Sequence, residues 1–374
     1  MLPFSLALRL VSLVLALCAG LVLPQDARSA GQAERLSAEE KKEAVDRLVE
    51  ALSKSYVFPD VADRMGEAVR ARQQKGEYDK LDDPQTFAEA LTDHLQAVSH
   101  DKHMRVRCEG GAPAAGAPRR HFPESEEEFR RVNFGFEKVQ LLPGNVGYVD
   151  LRMFAPADLA GPTAAAAMDF LANTDALVID LRENGGGQPD MVQLFCSYLF
   201  GPEPVHLNDL YFRPMNETHQ FWTLPWLPGK RYVGKDVYVL TSHSTFSGAE
   251  ECTYNLQTQK RAQIVGETTG GGANPGGRVE LSKHLSAFVP SGRAINPVTG
   301  TNWEGTGVEP EVRVPAKLAL ATAQTLALKK LADGCAEGAR RAALTDALAQ
   351  AERDLAALKA EPAEAQAAAA PRAK

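Results

Sequence analysis

Val237-Tyr-Val-Leu-Thr-Ser-His-Ser-Thr-Phe-Ser-Gly-Ala-Glu-Glu251 is the stretch on which the fold turns. Val237 to Leu240 are β-branched, aromatic or aliphatic and read as a buried strand, whereas Gly248 onward has helical composition. Ser247 therefore stands at a strand-to-helix corner. Such a corner lifts a side chain above the sheet edge, beside helix N–H groups that lack partners and can hold an anion. Nucleophilic serines use that geometry. A plain helix cap uses it too, because serine is a favoured N-cap residue.

The same alternation extends outward. Upstream lie an Ala-rich helix (Ala164 to Leu171), the strand Ala176 to Leu181, the turn Arg182-Glu-Asn-Gly-Gly-Gly187 and a helix around Met191 to Leu199. Downstream, the strand Gln263-Ile-Val-Gly266 leads into a Gly-rich loop, Thr268 to Gly277. Strand–helix–strand repetition of this kind predicts an α/β core. Before it, Asn133 to Leu141 and Gly147 to Arg152 form a predicted hairpin turning at Pro143-Gly144. Tyr211 to Pro228, rich in aromatic residues and proline, reads as a loop.

At the N-terminal side, Ser37-Ala-Glu-Glu40 is a capping box, and Asp83-Pro84 starts another helix. Three amphipathic segments between residues 35 and 99 predict a three-helix unit. Beyond Pro315, helices are expected from about Lys317 to Ala332 and from about Ala339 to Leu358, then a disordered Ala-rich tail over 361–374.

The chain has 374 residues, enough for two or three structural units, and a net charge of −7 without a basic run, which argues against nucleic-acid binding. Leu10 to Leu23 is apolar but too short to span a membrane, and residues 1 to about 30 read as an export signal. The mature chain is thus expected in the periplasm or outside the cell. Leu15-Ala-Leu-Cys18 loosely matches a lipoprotein box, so a lipid anchor at Cys18 is an alternative. Cys108, Cys196, Cys252 and Cys335 have no metal-type spacing, and both disulfides and buried thiols remain open.

Ser247 needs a base. His243 is near in sequence, and His103 sits where the helical unit meets a strand (Met104 to Cys108). His100, Asp101 and His103 hint at metal binding, but no third ligand cluster follows, so neither metal nor cofactor is expected. Gly185, Gly186 and Gly187 end a buried strand and let backbone N–H groups approach a ligand, as an oxyanion hole requires. Glu304, in the Gly-rich loop Asn302 to Glu311, is either a carboxylate that orients a histidine or an exposed loop acid.

Together these stretches resemble the S41 (tail-specific protease) family, in the branch without a PDZ domain that includes interphotoreceptor retinoid-binding protein and the tricorn protease core. The resemblance is carried by Asp101-Lys-His103, Gly147-Tyr-Val-Asp-Leu-Arg152, Asp180-Leu-Arg-Glu-Asn-Gly-Gly-Gly187 and Thr245-Phe-Ser-Gly-Ala-Glu-Glu251. Ile264-Val-Gly-Glu-Thr-Thr-Gly270 and Gly305-Thr-Gly-Val-Glu-Pro-Glu311 complete it, in the family's order. It implies a crotonase-like ββα-spiral α/β core (104–315) between an N-terminal helical domain (35–103) and C-terminal helices (316–360). Members with a PDZ domain use a Ser–Lys dyad; the matching positions here are Ala249 and the neighbourhood of Gly272. The tricorn-like branch implies Ser247 as nucleophile, His103 as base and Glu304 as its partner, with Gly248 and Gly185 to Gly187 around the oxyanion. The expected activity is hydrolysis of peptides or proteins, with Phe221 and Trp222 as substrate contacts. The alternative is a non-catalytic carrier of a lipid or retinoid-like ligand, in a cleft lined by Tyr211, Phe212, Phe221, Trp222 and Trp226.

Overall fold

The computed structural model describes residues 35–109, 122–123 and 125–360. The expected signal with Cys18, the tail 361–374 and most of the Gly/Ala/Pro-rich segment after Glu109 lie outside the described residues.

Three helices open the chain: α1 (Ala38–Ser55), α2 (Pro59–Gln74) and α3 (Pro84–Ser99). After β1 (Arg105–Cys108) and α4 (Glu126–Arg131) come β2 (Phe136–Leu142), β3 (Val146–Leu151), α5 (Ala157–Leu171), β4 (Ala176–Asp180) and α6 (Pro189–Ser197). The middle of the chain forms β5 (His206–Phe212), β6 (Glu217–Trp222), β7 (Asp236–Thr241), α7 (Gly248–Thr258) and β8 (Gln263–Gly266). Four more strands, β9 (Gly276–Glu280), β10 (Leu285–Pro290), β11 (Gly292–Ile295) and β12 (Val312–Arg313), precede α8 (Ala316–Gly334) and α9 (Ala339–Ala360).

The central sheet has six strands in the order β12-β8-β7-β4-β3-β2. Neighbours from β12 to β3 run parallel, and β2 closes one edge as the antiparallel arm of the hairpin. Strand β4, Ala176 to Asp180, is buried along its whole length, as expected for a parallel strand covered on both faces. Its alternate residues serve two cores. Leu177 and Ile179 pack with Met168, Phe195 and Leu256 from α5, α6 and α7. Val178 packs with Tyr238, Ala319, Ala323 and Leu328 on the opposite face, beneath α8. Arg182 ties this second layer to the sheet, since it pairs with Asp180 at 2.6 Å and donates to the Ala316 carbonyl at 2.7 Å.

The α/β core, the helical unit and the C-terminal helices are all present. Helix α1 begins at the predicted capping box, with the Ser37 hydroxyl accepting from the Glu40 N–H. The core of α1 to α3 is completed from far along the chain by Leu281, Leu285, Ala287 and Val289. Strand β1 in turn pairs with β10 and not with any strand of the central sheet. His103 lies in the turn between α3 and β1 and so at the seam between the two packed bodies.

Two expectations are corrected, and one stretch left unassigned by the sequence is filled in. Tyr211 to Pro228 is not a loop throughout: β5 and β6 form a hairpin there, with β11 on its other edge. Strand β6 is almost wholly exposed, so it lacks the apolar alternation that marks a strand in sequence. Residues 276–295, past the Gly-rich loop, hold three short strands whose partners include β1 and β5, far away in sequence. Helix α5 starts at Ala157, before the Ala-rich run, and carries Pro162 inside it. Among the described residues no helix is long and apolar enough to cross a membrane. No disulfide joins the four described cysteines, although Cys196 and Cys252 Sγ lie 3.7 Å apart in the core.

Candidate active site

Strands β4 and β7 are parallel neighbours, so the loops leaving their carboxyl ends emerge side by side, the usual ligand position in such sheets. The two loops are cross-linked. Thr245 Oγ1 donates to the Leu181 carbonyl at 2.8 Å, and the Phe246 N–H donates to the Asn184 carbonyl at 3.1 Å. Asn184 is itself buried and returns its side-chain amide to the Leu151 carbonyl. This lattice fixes Ser247 relative to Gly185–Gly187.

Ser247 has φ 55 and ψ −121 at the N-cap of α7. That conformation is sparsely populated for a residue with a side chain and costs on the order of 1–3 kcal/mol. The strain is held by a hydrogen bond from the Ser247 N–H to Glu250 Oε2 at 2.8 Å. The hydroxyl meets His103 Nε2 at 2.9 Å. Residues 144 positions apart in sequence are thus brought into contact. His243, the other candidate base, is exposed and faces Glu267.

His103 reaches the corner because α3 stops abruptly. His100 takes a left-handed conformation as C-cap, and Asp101 Oδ1 then accepts the His103 N–H at 2.9 Å, turning the chain into β1. The imidazole lies against Phe246 and Phe288, with ring centroids 4.6 and 5.9 Å away. Burial, helped by the Arg105 charge, lowers its pKa to about 4, so the ring is neutral at ordinary pH. Its Nδ1 is buried and has no hydrogen-bond partner.

Glu304 approaches from the loop before β12. Its Oε2 accepts the Ala273 N–H, while its Oε1 is buried without a partner. Burial first, and then the negative charge of Asp101, raises its pKa to about 8. Among the described residues Asp101, His103 and Glu304 are the one group able to offer metal ligands, with ligand atoms within 4.8 Å of one another. Asp101 is already committed, however. Its oxygens accept the His103 N–H, the Tyr56 hydroxyl at 3.2 Å and the Asn274 amide at 3.0 Å. The three groups lie together, and the hydrogen bond among them is the one from the His103 backbone N–H to Asp101.

The four glycines of interest part company. Gly186 has φ +103, and its N–H is taken by Asn184 Oδ1 at 2.8 Å. Gly187 has φ +141, and a Cβ there would run into the Phe154 carbonyl. Among the described residues neither the Gly187 N–H nor the Gly248 N–H has an acceptor in the chain. The two are close, since a Cβ on Gly248 would lie 3.1 Å from the Gly187 nitrogen. Gly185 is exposed on the turn. Of the aromatic residues, Phe221 packs with Ala273 and Trp303 next to the Glu304 loop. Trp222 stacks on His206 at 4.2 Å, and Trp226 is exposed. Phe212 packs against the same cluster as Phe221.

Sequence reasoning passed over Asn184 and Glu250 as working residues and weighed Asp101 only as a metal ligand and as part of a family motif. Glu250 carried a signal, because Ser247-Gly-Ala-Glu250 has the capping-box spacing. Asn184 carried none beyond its place in the Gly-rich turn.

A serine at the carboxyl end of β7, met by a histidine from the turn between α3 and β1, marks the site of this α/β protein. The chain belongs to peptidase family S41: the family model matches residues 145–314, and the model described as the N-terminal domain of Peptidase_S41 in eukaryotic IRBP matches residues 37–143. Among solved structures it is similar to a lipoprotein from Streptococcus agalactiae, with 14% identity, TM-score 0.53, and coverage of 79% of this chain and 98% of that one. It is also similar to a photosystem II D1 C-terminal processing protease (15% identity, TM-score 0.47, 76% and 95% covered). A third similarity is to the tricorn protease (13% identity, TM-score 0.48), of which it spans 35%.

Proposed function

We propose that this chain is an exported serine peptidase in which Ser247 is the nucleophile, His103 the general base and Glu304 the partner of the imidazole. The observation that carries the reading is the 2.9 Å contact between Ser247 Oγ and a buried, neutral His103 Nε2. As Oγ attacks the scissile carbonyl, its proton passes to Nε2, and the imidazolium later gives it to the leaving amine. Water then hydrolyses the acyl-enzyme by the same exchange. The oxyanion is held by the Gly187 and Gly248 N–H groups, donors worth about 3–4 kcal/mol each in comparable sites. The unpartnered Nδ1 and the unpartnered Glu304 Oε1 are the atoms that meet when the imidazolium forms.

The site also favours a Ser–His over a Ser–Lys arrangement. A Cβ at Gly272 would lie 2.7 Å from His103 Cε1, so a long side chain there and this imidazole exclude each other. Export rests on the apolar Leu10 to Leu23 segment, and a peptide or protein substrate on the family. Turnover of a fluorogenic peptide mixture by the parent, Ser247→Ala and His103→Ala tests the reading. Both variants should keep the parent's melting temperature and lose at least ~10³-fold in kcat. Equal cleavage by Ser247→Ala would show the mechanism to be wrong.

A further inference from the structure

Glu250 is wholly buried, yet it is a carboxylate inside a protein core. Its two oxygens accept four hydrogen bonds from two segments of the chain, the Ser247 corner and the loop 269–272. Oε2 takes the Ser247 N–H at 2.8 Å and the Gly272 N–H at 2.9 Å. Oε1 takes the Gly271 N–H at 2.6 Å and the Thr269 hydroxyl. Thr269 Oγ1 accepts in turn from the Val308 N–H at 2.7 Å, in the loop that carries Glu304. The Gly272 carbonyl accepts from the buried Trp303 indole at 2.7 Å, one residue before Glu304.

A capping box explains only the first of these bonds. The other three tie the corner to the Gly-rich loop lying against His103, and through Thr269 to the loop of Glu304. A buried acid that accepts four donors tolerates few substitutes: an amide keeps one oxygen and turns an N–H toward donors, and an apolar residue leaves them all unpaired.

We propose that Glu250 is the positioning residue of this site, the one carboxylate that holds the Ser247 backbone, the wall behind His103 and the Glu304 loop in a single register. The proposal rests on the peptidase reading above. It is distinct from a stabilising role, because the three segments meet at the reacting atoms. It also has an electrostatic consequence. Glu304 is faced by Asp101 and His103 from the turn after α3, by Tyr56 from the end of α1 and by Glu250 from α7, and the Glu250 charge helps keep Glu304 protonated.

The test compares the full-length parent, Glu250→Gln, Thr269→Val and Ser247→Ala for fluorophosphonate inactivation rate, kcat and KM on one fluorogenic peptide, pH profile and melting temperature. Glu250→Gln should lower kcat and the inactivation rate by ~10²-fold with KM within about threefold. The alkaline rise of its rate should also move to lower pH, since a charge that disfavours Glu304 ionisation is gone. Thr269→Val, which keeps Glu250 and removes one donor, should fold natively and lose ~10-fold in kcat; it decides the matter if Glu250→Gln does not fold. Parent-like kcat in a folded Glu250→Gln or in Thr269→Val, or an unmoved pH profile, overturns the proposal. Labelling that survives in Ser247→Ala would instead overturn the nucleophile assignment.

Discussion

Gly272 is where a single methyl group should do the most damage to the proposed chemistry. A Cβ added there falls 2.5 Å from Phe246 Cε2 and 2.7 Å from His103 Cε1. Carbon atoms in ordinary contact sit about 3.5–4.0 Å apart, so the imidazole edge must retreat by about 0.8 Å or more. Cε1 is bonded to Nε2, whose contact with Ser247 Oγ is 2.9 Å; the retreat carries that pair to the limit of a hydrogen bond. The fold has a softer way to respond, because both neighbours are side chains, and overpacking of this kind costs about 1–3 kcal/mol. Gly272→Ala should therefore remain folded, with a modest loss in urea-unfolding free energy. Misplacement of a base by about 1 Å costs on the order of 10²-fold, so kcat should fall by that much while KM changes little. A Gly272→Ala protein with kcat within twofold of the parent would refute the placement of His103 as the working base.

Further outcomes follow from burial and charge. Burial raises Glu251 to about 8 from an ordinary 4.5. The unfolded chain then releases this proton near 4.5 and the folded one near 8, so stability present at low pH is lost as pH rises through that window. The loss is on the order of 4–5 kcal/mol by the alkaline end, and Glu251→Gln should flatten it in denaturant titrations. With Glu304 likewise held to about 8, kcat/KM should rise as pH passes through that value and the carboxylate forms; Glu304→Gln should lack the rise. Gly187→Ala places a Cβ against the Phe154 carbonyl and should disrupt the turn itself, seen as a lowered melting temperature together with loss of fluorophosphonate labelling.

Much of the site was legible in the sequence because its pieces stand at element boundaries. Ser247 follows an unmistakable strand, Gly185 to Gly187 end another, and His103 follows an amphipathic helix. Spacing alone could not choose between His103 and His243, and only the family resemblance pointed to His103, because the choice depends on α3 stopping at a left-handed His100 and on β1 pairing with β10. The β5–β6 hairpin was hidden by its exposure, and β10 and β11 by partners far away in sequence. Glu250 was visible only as a cap. Its other donors come from residues 269–272, and nothing local to α7 announces them. The Gly-rich turn was read as three potential oxyanion donors beside Gly248, whereas the Gly186 N–H is spent on Asn184.

The central claim is that Ser247 is an activated nucleophile. Reaction of the parent with a fluorophosphonate probe, followed by peptide mass spectrometry, tests it most directly. The account predicts one adduct per chain, on Ser247, lost in Ser247→Ala and slowed at least ~10³-fold in His103→Ala. An unlabelled Ser247 in a natively folded parent, or an adduct on another serine, would contradict it.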